Sequence, residues 1–104
     1  MIIQINSDKN LSWERRSSDF FTDQIADALH RFESHITRIE VYLKDENGKK
    51  DGPNDISCLL EARLQGKKPI AVTSQGDTID IAVNGAIVKI KAAIETILGK
   101  IQKH

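Results

Sequence analysis

The chain has 104 residues, 39% of them hydrophobic and 29% charged, which suits one globular domain and is too apolar for a disordered chain. Its 15 Lys and Arg offset 15 Asp and Glu, so net charge does not point to a nucleic-acid partner, and any such reading must rest on where the charges lie. A single cysteine, Cys58, excludes an internal disulfide, and three scattered histidines lack zinc-type spacing, so neither a metal nor a cofactor is expected.

The opening Met1 to Asn6 is short and β-branched, with Ile3 and Ile5 on one face, and reads as a first strand. It has neither the basic start nor the long apolar run of an export signal, so a cytoplasmic protein is expected. No segment is apolar enough for a membrane span. Ser7 to Asn10 punctuates the strand, and Leu11 to Arg16 reads either as an irregular lead-in or as an extra helical turn. Ser17, Ser18 and Asp19 are good N-cap types. Phe21, Ile25, Ala28, Leu29, Phe32 and Ile36 follow in steps of three and four, predicting a helix with one buried stripe.

From Arg38 to Lys44 the pattern alternates, with Ile39, Val41 and Leu43 on one face and Arg38, Glu40, Tyr42 and Lys44 on the other. This predicts a strand with one wet side. Residues 45–55 carry turn chemistry throughout and read as an exposed hairpin loop. Ile56, Cys58, Leu60, Ala62 and Leu64 predict a third strand. Gly66-Lys67-Lys68-Pro69 then turns the chain into a fourth, Ile70 to Ser74. A second helix is expected from about Thr78 to Lys103, capped by Asp77 or Thr78. Its stripe contains Ile79, Val83, Ala86, Ile87, Ile90, Ile94, Ile97, Leu98 and Ile101.

The order β-α-β-β-β-α predicts an α+β two-layer sandwich over 1–104, with two helices packed on one face of a four-stranded mixed sheet. The first helix should cross over right-handed between parallel strands. No paired carboxylates, glycine-rich phosphate loop or nucleophile and base in a known motif are present. A non-catalytic role without a small-molecule substrate is therefore expected.

This order of elements, and the string Leu29-His30-Arg31-Phe32-Glu33-Ser34-His35-Ile36-Thr37-Arg38-Ile39, resemble the bacterial family of hibernation-promoting factor and ribosome-associated inhibitor A. Asp77 and Lys89-Ile90 also match that family's second helix, and the chain resembles its short form. The resemblance implies a non-catalytic translation inhibitor that docks in the small ribosomal subunit, with bases on its helices against ribosomal RNA. The sequence departs from the family pattern at Ala28, Ser34 and Ala92, where bases are common, and in its longer, acidic 45–55 loop.

At about 100° per residue, Lys89, Lys100 and Lys103 share one flank of the second helix and Lys91 lies on the other. If the helices are neighbours, Arg31, His35 and Arg38 extend the flank of Lys89. Arg31, Arg38, Lys89, Lys100 and Lys103 are the candidate RNA contacts, because phosphate binding needs bases gathered on one surface. The plain alternative is a solvated lysine face on a protein-interaction module that kept the fold and lost the ribosome. Lys67, Lys68 and Arg63 form a second possible basic edge. Tyr42 reads as a cross-strand packing residue or, less simply, a base-stacking one. Cys58 reads as a buried thiol, and Trp13 as a residue folded on the core or an exposed anchor.

Overall fold

The computed structural model describes the backbone of residues 1–7, 15–45 and 56–102, with side chains at 1–7, 18–45 and 56–99. Trp13, most of the 45–55 loop and Lys103 lie outside the described residues, as does the side chain of Lys100. The elements are β1 (Ile2–Ser7), α1 (Arg15–Ala28), a 3-10 helix (His30–His35), β2 (Ile36–Asp45), β3 (Ile56–Leu64), β4 (Ile70–Gly76) and α2 (Ile79–Gln102). The sheet runs β1-β2-β3-β4, with β1 parallel to β2 and the remaining pairs antiparallel. This is the expected mixed sheet, closed by a meander.

One sheet face is dry. Ile39, Val41 and Leu43 of β2 and Cys58, Leu60 and Ala62 of β3 are buried there, under Phe21, Ile25 and Leu29 and the α2 residues Val83, Ala86, Ile90 and Ile94. No polar side chain is buried among the described residues. Each large aliphatic residue so placed is worth about 1.5–3 kcal/mol of transfer free energy. Ile36 belongs to the same core although it stands an odd step, three positions, before Ile39. The register between β2 and β3 shifts between Ile36 and Arg38, and this bulge at Thr37 returns both isoleucines to one face.

The end of the first helix differs from expectation. The α-helix begins at Arg15 and stops at Ala28. Ser17 and Ser18 therefore fall inside it, and the Ser18 carbonyl accepts from Thr22 Oγ1 at 2.9 Å. The stretch from Leu29 to Ile36 forms the 3-10 turn and the start of β2. A spacing of three serves a 3-10 helix as well as an α-helix, so Leu29 and Phe32 both stay buried. At α2 the expected cap is present, with the Ile81 N–H donating to Thr78 Oγ1 at 3.2 Å.

Two glycines set how closely α2 approaches β4. A Cβ on Gly85 would overlap the Ser74 side chain, and one on Gly76 would run into Ile81 and the backbone of Ala82. Gly85, a poor helix former by propensity alone, is thus the point of contact between helix and strand. Gly76→Ala should destabilise the protein by about 1–3 kcal/mol through overpacking. Gly99→Ala, with open space around it, should stabilise by up to about 1 kcal/mol. Urea unfolding of the two variants tests both signs.

Candidate nucleic-acid interface

The outer sheet face, left uncovered by the helices, carries an ordered polar ladder. Arg38 and Arg63 stand opposite each other in the β2–β3 register, and Glu40 and Glu61 form the next row. Like charges facing across a pair of strands repel, and ion pairs within and between the strands offset this. Arg38 Nε lies 3.2 Å from Glu40, Arg63 Nη2 3.8 Å from Glu40 and Arg63 Nε 3.4 Å from Glu61. Arg38 also donates to Gln4 on β1. Tyr42 donates its O–H to Glu40 at 3.2 Å. Loss of water around the ring and then the charge of Glu40 raise the pKa of this phenol, with Arg63 opposing. The tyrosine is thus part of the cross-strand network, with its ring 43% exposed.

The helical layer is different in charge. Its described side chains hold six carboxylates (Asp19, Asp23, Asp27, Glu33, Asp80 and Glu95) against three bases, Arg31, Lys89 and Lys91. Gln24 on α1 hydrogen-bonds Asn84 on α2 and sets the two helices side by side. Arg31 stacks on Phe32, its guanidinium carbon 4.6 Å from the ring centre, and pairs with Glu95 of α2 at 3.3 Å.

Of the sequence-derived bases, the described Arg31, Arg38 and Lys89 are not brought onto one patch. Arg38 faces out from the open side of the sheet, and Arg31 lies in the helical layer against Glu95. Glu95 stands roughly 120° round α2 from Lys89. On its own flank, Lys89 donates to the backbone carbonyl of Thr73 in edge strand β4 at 2.7 Å. A lysine head group has two further N–H donors beyond that bond. These three are kept apart because α2 turns Lys89 toward β4 and Glu95 toward the 3-10 helix.

A second group of bases lies where that lysine flank leads. Gly76 meets Ile81, Ser74 meets Gly85 and Thr73 meets Lys89, so α2 runs antiparallel to β4. Beyond Lys89 the helix backbone runs in the direction of the start of β4, which the turn with Lys67 and Lys68 precedes. Gly66 makes this turn at φ 72°, and both lysines are exposed with no carboxylate partner among the described residues. The sequence already showed Lys67 and Lys68. Their relation to α2 could not be read without knowing the helix direction.

The layered arrangement is an α+β sandwich, and none of its described helices is long and apolar enough to cross a membrane. Two solved structures share the fold. The Protein Y N-terminal domain of Thermus thermophilus aligns with a TM-score of 0.73 and 15% identity, over 93% of this chain and 99% of that one. A ribosomal subunit interface protein from Coxiella burnetii aligns with a TM-score of 0.74 and 14% identity, over 95% of this chain and 99% of that one. No protein-family model matches the sequence, and no curated protein does. The likeness is one of fold, and it agrees with the family resemblance read from residues 29–39.

Cys58 is wholly enclosed, and burial pushes its thiol up to about 12. It is a packing residue, not a nucleophile. A raised thiol pKa leaves its contribution to stability intact below about pH 9 and removes it as pH climbs from there toward about 12. At pH 8 a thiol reagent should label Cys58 only at the rate of opening of the native protein, and in urea at once. Rapid labelling of the folded chain contradicts this burial.

Proposed function

We propose that this protein is a ribosome-associated inhibitor of translation that acts in the cytoplasm by occupying the small subunit, without chemistry. The observation that carries the reading is the correspondence of nearly the whole chain with a ribosomal subunit interface protein. The family resemblance of Leu29 to Ile39 supports it from the sequence side.

In this reading ribosomal RNA is met along the β4 side of the molecule. Lys89, Lys100 and Lys103 on the α2 flank, with Lys67 and Lys68 in the turn before β4, supply the phosphate contacts. Arg31 and Arg38, also candidates from the sequence, are already held by Glu95 and Glu40 and contribute least. Inhibition follows from the volume filled on the subunit.

A second reading, a protein-interaction module that kept the fold without the ribosome, draws on the acidic excess of the helical layer. Cosedimentation with purified small subunits separates the two. If five lysines neutralise phosphates, log affinity should fall against log salt with a slope of about −3.5 to −4.5. Lys89→Glu combined with Lys100→Glu should abolish binding at moderate salt, and Arg31→Ala should change it less than about threefold. Absence of binding by the parent protein at low salt ends the ribosome reading.

A further inference from the structure

We infer that the outward face shared by α1 and α2 is a docking surface for a basic, amphipathic segment of a protein partner. Phe20, Ile81 and Val88 are exposed there by 58%, 53% and 68%. The hydrogen bond between Gln24 and Asn84 fixes their mutual placement. Phe20 lies one helical turn before Gln24, Ile81 one turn before Asn84 and Val88 one turn after it. Phe20 and Val88 therefore lie within one turn of the bond that joins the helices, and Ile81 sits at the start of α2, over Gly76.

Their exposure is not forced by the core. Phe21 and Val83 already supply the inward contacts of the same turns and are 4% and 0% exposed. Ile81 packs in part over Gly76, but a polar residue at position 20 or 88 would leave the core intact, so the large apolar residues there need another cause.

Charge decides the partner. Asp23 and Asp27 share the outward side of α1 with Phe20, Asp80 lies in the first turn of α2, and Glu95 lies beyond Val88. Arg31 is occupied by Glu95, which leaves Lys91 as the unpaired base of this face among the described residues. An apolar centre with an acidic border repels a phosphate backbone and complements a segment rich in Lys or Arg that carries two or three aliphatic anchors. The lysines proposed to meet RNA lie on the other flank of α2, so both surfaces can be occupied together. This inference does not depend on the ribosome reading.

The test is an NMR titration of the isotope-labelled full chain. The probes are a lysine–leucine peptide patterned as an amphipathic helix, its glutamate–leucine counterpart and an oligouridylate. The lysine–leucine peptide should shift the amides of Phe20, Gln24, Ile81, Asn84 and Val88, and the glutamate–leucine peptide should not bind. Phe20→Ser and Val88→Ser should each weaken binding at least about tenfold, with unchanged urea midpoints showing that the fold is intact. Asp23→Lys with Asp27→Lys should weaken it through charge alone. Equal binding of both peptides, shifts confined to the Lys67, Lys68 and Lys89 side, no binding, or oligouridylate shifts on the helical face would each overturn the assignment.

Discussion

The close approach of α2 to β4 is the constraint on which the remaining architecture rests. Small atoms at Gly85 and Ser74, and at Gly76 under Ile81, let the helix come down onto the edge of the sheet. Its apolar stripe then closes over Leu60, Ala62 and Cys58. Because a helix is rigid about its axis, fixing that stripe also fixes both flanks. One turns Lys89 to the edge strand, and the other turns Asn84 and Glu95 to α1 and the 3-10 helix.

From that orientation comes a division of charge that the balanced total conceals. The helical layer is acidic among its described residues, the arginines of the open sheet face are paired with carboxylates, and Lys67, Lys68 and Lys89 lie toward β4. Arginines and lysines divide accordingly. Arg31, Arg38 and Arg63 are committed to carboxylates, where a planar guanidinium can bridge two partners. Lys67, Lys68 and Lys91, exposed or half-buried and without a carboxylate partner among the described residues, remain as mobile point charges.

Much of the fold was legible because each strand or helix declares its wet and dry sides through its own period. The alternation from Arg38 to Lys44, the turn at Gly66 and the stripe from Ile79 to Leu98 all signal locally. The 3-10 ending was not legible, since over six residues a step of three does not separate the two helix types. Nor was the bulge at Thr37, which shows only when β2 is paired with β3. The candidate site was harder to read for a related reason. A base seen in sequence carries no mark of its partner, and Glu95 neutralises Arg31 across the fold from a distant element. Phe20 and Val88 lie outside the sequence-derived stripes, and only the bond between Gln24 and Asn84 relates them across the two helices.

The central claim is that the seating of α2 gives the molecule two differently charged working sides. Electron cryomicroscopy of small subunits saturated with the protein would show which side meets RNA. The account predicts the β4 edge, the Lys67–Lys68 turn and the lysine flank of α2 against ribosomal RNA, with the α1–α2 face turned to protein or to solvent. Density showing that acidic helical face laid flat on phosphates would contradict it.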